Sequence, residues 1–220
     1  MRKKSILFGF VCLMTAISLS ACLPDWLSVD QLPWLEKNQV LFADDFSDQT
    51  TGWENINDVY ELKGYSDNAY IISLKRENSR SWSVPGLRFA NTAISVKTQH
   101  LSGAQDTNFG LICRYQGPGN YYSFVISSDG YYAVFRVING EETLLGMEQF
   151  VYSDEIAQAD AVNQISAVCS GNQLSLSVNG KTLHSVRDES FTAGDVGLIV
   201  ETRAYGGASV LFKDFSVTKQ

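Results

Sequence analysis

The sequence has few of the residues on which enzymes most often build their chemistry. Only two histidines occur among its 220 residues, and neither His100 nor His184 has a second histidine or a free cysteine at the spacing of metal ligands. No serine stands in the Gly-x-Ser-x-Gly turn that carries a hydrolase nucleophile. The sequence therefore favours packing or surface roles for both histidines and argues against nucleophilic catalysis.

Basic residues are also scarce. The chain has 17 Lys and Arg against 24 Asp and Glu, and its formal net charge is −7. Binding to nucleic acid requires clustered Lys and Arg that neutralise phosphates. The acidic balance therefore argues against nucleic acid as a partner.

The N-terminus has the pattern of an export signal that ends in a lipid-attachment site. A positively charged start at Met1–Lys4 precedes an apolar run at Ser5–Ser18, and Leu19-Ser20-Ala21-Cys22 follows as a small-residue cleavage box. This box is similar to the bacterial lipobox, in which the cysteine thiol is acylated and becomes the mature N-terminus. The alternative is a transmembrane helix, which needs about 20 apolar residues, but polar residues interrupt this run.

The predicted organisation is a lipoprotein signal peptide at residues 1–21, a lipid-anchored tether at 22–38 and a β-sandwich domain at 39–220. Removal of the signal peptide takes away three basic residues, so the formal charge falls from −7 to −10 (−7 minus 3). With so acidic a surface, the lipid on Cys22 and not a basic patch would hold the protein to the membrane. We expect an exported, membrane-anchored lipoprotein at the cell surface or the periplasmic face.

Two cysteines remain for the folded domain, because Cys12 lies in the signal peptide and Cys22 carries the lipid. Export places Cys113 and Cys169 in an oxidising compartment, where two such thiols are more often joined than free. Each lies on the apolar side of its own predicted strand, so both can point into one core. We expect a Cys113–Cys169 disulfide, with two separate buried thiols as the alternative.

The rest of the chain alternates short β segments with turn signals about every ten residues, which is typical of an all-β sandwich or barrel. Asn139-Gly140 and Asn179-Gly180 each lie between alternating apolar runs and predict two-residue hairpin turns. No segment resembles a long amphipathic helix. The predicted strands are 40–46, 58–62, 69–74, 93–99, 109–115, 121–127, 131–138, 143–147, 164–169, 173–178, 182–186, 196–202 and 208–217.

Several of these segments resemble the concanavalin A-like lectin/glucanase superfamily, and the likeness covers about residues 39–219. More narrowly, they resemble bacterial lipoprotein members near the 3-keto-disaccharide hydrolase domain family and laminin-G-like modules. The resemblance implies an antiparallel jelly roll whose first and last strands pair, and a lectin, glycosidase or adhesion function. The matching segments are Leu41–Asp48 with Gly52-Trp53, Phe109–Gln116 with Asn120–Tyr122, Leu174–Gly180, Val196–Leu198 and Phe212–Phe215.

A glycosidase of this superfamily would carry carboxylates two residues apart on one strand, where they share a face and can flank a glycosidic bond. None of the 24 Asp and Glu is separated from another by two positions. The Glu-x-Asp-x-x-Glu signature of the superfamily's glucanases is also absent. Hydrolysis by that route is therefore disfavoured, and a carboxylate pair assembled from different strands stays open.

A calcium site is the one metal site that the sequence supports, because sandwich lectins and laminin-G modules often bind calcium between strand ends. The alternative is that these aspartates cap backbone N–H groups in turns. The candidate ligands are Asp44, Asp45, Asp48 and Asp214.

The remaining signal is a set of polar and aromatic strand positions. A platform of aromatic rings edged by charged and amide groups is the usual way to hold a sugar. The alternative is a solvated sheet face with tyrosines that follow from strand propensity and charges in cross-strand pairs. If Leu111, Phe124, Phe135 and Leu198 face the core, alternation places these residues on the opposite, ligand-binding face: Arg114, Tyr121, Tyr132, Arg136, Glu201 and Arg203.

Together these observations predict a non-catalytic, lipid-anchored module that binds a glycan or another component of the cell envelope. Two alternatives remain. One is a glycoside hydrolase that acts on oxidised disaccharides or glucans, and the other is a structural lipoprotein whose sheet surface docks onto an envelope protein. No cofactor other than calcium is implied.

Overall fold

The computed structural model describes residues 28–32, 35–203 and 206–220. The predicted signal peptide and Cys22 lie outside these residues. Within the described part of the chain, no helix has the length and apolar character needed to cross a membrane.

The chain folds into two antiparallel β-sheets, which confirms the predicted all-β sandwich. A short 3₁₀ helix, Val29–Gln31, precedes the first strand. The strands are β1 (Val40–Asp44), β2 (Ile56–Asn57), β3 (Glu61–Tyr65), β4 (Tyr70–Leu74), β5 (Arg80–Ser83), β6 (Thr92–Ser102), β7 (Asn108–Tyr115), β8 (Asn120–Ser127), β9 (Tyr131–Ile138), β10 (Glu141–Leu144), β11 (Val151–Tyr152), β12 (Val162–Ser170), β13 (Gln173–Val178), β14 (Lys181–Arg187), β15 (Asp195–Glu201) and β16 (Ala208–Lys219).

The two sheets differ in strand order. The nine-stranded sheet has the order β14-β13-β12-β6-β16-β4-β3-β2, and β1 pairs with β16 beside this path. The seven-stranded sheet has the order β10-β9-β8-β7-β15-β5, and β11 pairs with β9. The pairing of β1 with β16, which sets Phe42 opposite Val217, is the predicted pairing of first and last strands.

Both Asn-Gly hairpins form as predicted. Asn139 and Gly140 have φ values of 52° and 87°, and Asn179 and Gly180 have 50° and 85°. Both central positions of a type I′ turn require positive φ, which Asn and Gly tolerate better than other residues. These turns set the register of β9 with β10 and of β13 with β14.

The main core fills the space between the sheets and is rich in buried aromatic rings, among them Phe109, Phe124 and Phe212. The Cys113–Cys169 disulfide crosses this core and joins β7 of one sheet to β12 of the other, with Cα atoms 6.8 Å apart. The predicted disulfide is thus confirmed. It ties the two layers together at their inner faces.

Residues 28–32, which the sequence assigned to the tether, are packed on the sandwich. Asp30 is only 2 % exposed. Its carboxylate accepts hydrogen bonds from the backbone N–H groups of Ala90 at 2.6 Å and Asn91 at 2.8 Å. The segment around Asp30 is therefore attached to the domain.

Loss of the disulfide should destabilise the sandwich. In the chain-entropy model, a bridge between residues 56 positions apart stabilises the fold by about 4 kcal/mol. Replacement of both Cys113 and Cys169 by Ala should lower the free energy of unfolding by about that amount, as measured by urea unfolding. The reduced parent protein should match the variant, and equal stability of all three forms would contradict this role of the bridge.

Candidate functional site

One face of the seven-stranded sheet points away from the main core, and we call it the groove face. Side chains of β7, β8, β9 and β15 form its floor. The nine-stranded sheet covers only the opposite face of these strands, yet the floor side chains are buried as well. These floor residues form a separate apolar cluster: Ile112, Tyr121, Val125, Ala133, Phe135, Val137 and Ile199.

Long side chains from the edges of the sheet cover this floor. Trp82 of β5 and Tyr115 of β7 pack on it from one side, and Leu144, Met147 and Phe150 pack on it from the other. Side chains of β5 and β10, which lie at opposite ends of this strand order, also meet above the floor where Arg80 contacts Glu142, so the sheet curves. The groove face is therefore concave.

An arginine stands at the centre of the groove face. Arg80 of β5 forms ion pairs with Glu201 of the neighbouring strand β15 and with Glu142 of β10. Its Nη1 also donates a hydrogen bond of 3.0 Å to the Tyr121 hydroxyl. Asn108 Nδ2 donates to the second oxygen of Glu201 at 3.3 Å. The cluster thus combines a guanidinium, two carboxylates, an amide and a phenol.

The surroundings shift the proton affinities of these groups. Burial raises the pKa of Tyr121 to about 12, so the phenol stays protonated. Burial also raises the pKa of the Glu142 carboxyl, and the charge of Glu201 raises it further. Burial by itself lowers the pKa of Arg80, but Glu201, Tyr121 and Glu142 together outweigh it and the net pKa shift is upward. The cluster therefore keeps charged donors and acceptors side by side.

Three aromatic rings lie beside the charged cluster. The indole Nε1 of Trp82 donates a 2.9 Å hydrogen bond to the Tyr115 hydroxyl. The ring of Tyr121 lies 6.5 Å from Trp82 and 5.9 Å from Tyr115, centroid to centroid. This hydrogen bond and the packing against Tyr121 hold Trp82 and Tyr115 in place, so these two rings form a preformed apolar wall.

Three adjoining clefts run along the groove face, with volumes of about 330, 320 and 230 Å³. The first lies between Trp82, Tyr115 and Lys63, and the second surrounds the Arg80 cluster. Arg80 lines the first and the second cleft, and Arg203 lines the second and the third. The third cleft ends at Tyr131, a half-exposed ring that packs edge-on against Tyr152 at 5.5 Å.

Three of the six residues predicted to bind a ligand lie on the groove face. Tyr121 is part of the floor, and Glu201 pairs with Arg80 above it. Arg203 stacks its guanidinium 4.3 Å above the ring of Phe150. The structure brings these three residues to one surface.

Arg114 is not on this surface. Its φ of 52° interrupts the alternation of β7, and the residue is only 2 % exposed. Its guanidinium donates hydrogen bonds to the backbone carbonyls of Ala90 (3.1 and 3.2 Å), Phe191 (2.6 Å) and Gly171 (2.8 Å). Burial lowers the pKa of this guanidinium. Arg114 joins three loops at the rim of the sandwich and has no free donor face for a ligand.

Tyr132 and Arg136 face the nine-stranded sheet, because the assignment of Phe135 to the main core was wrong. Phe135 belongs to the groove floor, so Arg136 and Tyr132, one and three positions away along β9, point the other way. The hydroxyl of Tyr132 donates to the Leu183 carbonyl at 3.1 Å. Arg136 Nη1 pairs with Asp188 at 2.8 Å. Both side chains serve the contact between layers.

The predicted calcium ligands line one open cavity of about 640 Å³, but their carboxylates are occupied by the protein. Asp44 accepts a 2.8 Å hydrogen bond from the indole of Trp53. Asp45 and Asp48 cap backbone N–H groups two residues ahead, and Asp214 pairs with Lys97 at 2.8 Å. Among the described residues, no group of three or more His, Cys, Asp or Glu is placed to hold a metal. The turn-capping alternative accounts for Asp44, Asp45 and Asp48.

The residues predicted to bind a ligand did not include Arg80, Trp82, Tyr115 or Glu142. The signal for β5 was present, since Arg80-Ser81-Trp82-Ser83 alternates large and small side chains with the period of a strand. The segment is polar and lies between turns, so it did not read as a strand. The pairing of Glu142 with Arg80 joins opposite edges of the sheet, and such a contact is not visible in a linear pattern.

The role of Arg114 can be tested by stability. Arg114→Met removes the guanidinium from three buried carbonyls and should lower the free energy of unfolding by roughly 2 to 4 kcal/mol. The exposed Arg203→Met serves as the control and should change it by less than about 0.5 kcal/mol. Denaturant unfolding measures both. A stable Arg114→Met protein would show that the loops at the rim do not depend on this side chain.

Comparison with known proteins identifies the fold. No family model and no curated protein matches the chain. Among solved structures, a carbohydrate-binding module of Bacillus subtilis, CBM66, is 14 % identical with a TM-score of 0.62, over 77 % of this chain and 96 % of that one. A Bacillus subtilis protein of unknown function with a galectin-like fold is 10 % identical with a TM-score of 0.62, over 84 % of this chain and 97 % of that one. A Bacillus licheniformis β-glucanase is 13 % identical with a TM-score of 0.59, over 81 % of this chain and 98 % of that one. These likenesses show a shared fold and so confirm the predicted jelly-roll sandwich.

Proposed function

We propose that this protein binds a glycan on the groove face and does not hydrolyse it. The observation that carries the proposal is the Arg80 cluster beside the Trp82, Tyr115 and Tyr121 rings. Sugar rings present apolar C–H faces and hydroxyl rims, and a site that holds them pairs aromatic rings with polar groups that both donate and accept. The groove face supplies both kinds of group in adjoining clefts.

Carbohydrate recognition is also supported by the solved structures with this fold, since one is named as a carbohydrate-binding module and another as a β-glucanase. Because their sequence identity to this chain is low, these structures show only that the fold is shared. The residues of the groove face therefore carry the support for a glycan ligand.

The charge of the clefts favours an uncharged glycan. Their carboxylates outnumber their cations, so a polyanionic chain would be repelled. Neutral sugars need no net charge and can use both partners of an ion pair through their hydroxyl groups. The charged residues that line the three clefts are Glu54, Glu61, Asp106, Asp129, Glu142 and Glu201 against Lys63, Arg80 and Arg203.

A glycoside hydrolase is the second candidate, because Glu142 and Glu201 come from different strands and meet in one cleft. An acid with a raised pKa next to a second carboxylate is a pattern that glycosidases use. Here, however, the guanidinium of Arg80 contacts both carboxylates and occupies the space between them. Even when a sugar separates Arg80 from Glu142, the guanidinium stays paired with Glu201, so the arrangement favours binding over hydrolysis.

We further propose that the protein is exported and attached to a membrane through a lipid on Cys22. The disulfide supports an oxidising compartment, where such bonds persist. Cys22 precedes Ser28 by six residues, and six extended residues span at most about 20 Å. Since Asp30 fastens the following segment to Ala90 and Asn91, that end of the sandwich would lie close to the bilayer.

A glycan array tests the binding proposal. The parent protein should bind neutral glycans. Trp82→Ala and Glu201→Gln should each raise the dissociation constant at least about tenfold, the loss of affinity expected when an aromatic or charged hot-spot contact is removed. Glu141→Gln, exposed on the same strand as Glu142, should bind as the parent does. A parent protein that binds no neutral glycan on the array would contradict the proposal and favour the protein-docking lipoprotein. Release of shorter sugars by the parent, but not by Glu201→Gln, would favour the hydrolase.

The anchor is tested by Cys22→Ala in bacterial cells. The parent should incorporate an alkyne-labelled fatty acid and sediment with membranes, because the acylated thiol is its only predicted attachment. The variant should incorporate no label and move to the soluble fraction. A parent protein without label would overturn the lipid anchor and leave glycan binding untouched.

A further inference from the structure

We propose that the Arg80–Glu142 ion pair is a strap that closes the groove face, and that a ligand reaches Tyr121 and the floor only when this pair opens. The inference rests on the proposed function, since it concerns the regulation of the same site. It adds a state of the protein in which the groove is shut by its own side chains.

The two partners of the strap lie on opposite edges of one sheet. Arg80 is on β5 and Glu142 is on β10, and four strands separate them. Five strand spacings would put the two edges about 24 Å apart in a flat sheet, much farther than one arginine and one glutamate reach together. The ion pair therefore bridges the open side of the curved sheet and does not merely link neighbours.

The floor beneath the strap is closed to solvent. Glu142 pairs with Val137 on β9, and Val137 pairs with Tyr121 on β8. Both Val137 and Tyr121 have no exposed surface. Arg80 lines the clefts on either side of it, so its side chain is the partition between them. Movement of Arg80 away from Glu142 would join the two clefts over Tyr121.

The strap is built so that it can open at little cost. The side chains of Arg80 and Glu142 are 27 % and 33 % exposed, and partly exposed ion pairs contribute little free energy. When Glu142 leaves, Arg80 still has Glu201, which is paired beside it on β15. Burial also raises the pKa of the Glu142 carboxyl and so disfavours its charged form. The Arg80–Glu201 contact is thus the fixed half of the cluster and Glu142 the movable half.

Opening the strap frees groups that a neutral sugar can use. The guanidinium of Arg80 donates and the carboxylate of Glu142 accepts, and each can exchange its partner for a hydroxyl group of the ligand. An uncharged apolar molecule could not replace the lost contacts. The strap therefore selects for polyhydroxylated ligands as well as closing the empty groove.

The strap can be tested without any ligand through a cysteine placed on the floor. Ser123 lies on β8 with no exposed surface, and its strand partners Ile112 and Phe135 belong to the groove floor. In Ser123→Cys, the rate of reaction with a small charged thiol reagent under non-reducing conditions reports opening. The parent with Ser123 supplies the background from other thiols.

Adding Glu142→Gln to Ser123→Cys should raise the labelling rate about fivefold, the factor expected when a partly exposed ion pair is lost. Glu141→Gln is the matched control and should leave the rate unchanged, since its side chain is on the other side of β10. High salt should accelerate labelling of Ser123→Cys alone, because it screens exposed charges. Denaturant unfolding of the two double variants should give equal stabilities, which separates strap opening from global unfolding.

Equal labelling rates with Glu142→Gln and Glu141→Gln, or no acceleration by salt, would overturn the strap. This outcome would not affect the glycan array, on which the binding proposal stands or falls separately. Conversely, an array without binding and a faster Glu142→Gln rate would leave a strap over a groove whose ligand is not a glycan.

Discussion

The guanidinium of Arg80 determines the character of the groove face. It joins β15, β8 and β10 through Glu201, Tyr121 and Glu142, and so connects one edge of the curved sheet with the other. Without that charge, two carboxylates would face each other over an apolar floor, which is costly. The aromatic wall of Trp82 and Tyr115 and the sequence of adjoining clefts are arranged around this one side chain.

The same fold uses another arginine, which is fully buried, for a different purpose. Arg114 donates all of its hydrogen bonds to backbone carbonyls and stabilises the rim, whereas Arg80 bonds to ionisable side chains that can exchange partners. A carbonyl that loses its donor in a buried place has no alternative, but a half-exposed carboxylate can turn to water. Physical context therefore separates the structural arginine from the one suited to ligand exchange.

Much of the architecture was predictable because it depends on short-range patterns. Alternation located most strands, the Asn-Gly pairs located two hairpins, and the strand faces of Cys113 and Cys169 indicated their bond. The site was predictable only in part, since the faces of β9 were assigned from Phe135, an apolar residue that belongs to the groove floor. A sheet that buries both of its faces offers no apolar–polar contrast from which to choose the inner side. The positive φ of Arg114 and the curvature that joins β5 to β10 arise from tertiary structure.

The central claim is that the groove face binds a neutral glycan, and backbone NMR during titration with neutral oligosaccharides tests it most directly. The account predicts that the amide signals that move belong to residues on and around the groove face, above all Arg80, Trp82, Tyr121 and Glu142. Signals that move instead around Arg114 or around the cavity of Asp44 and Asp214, or no movement at all, would contradict it.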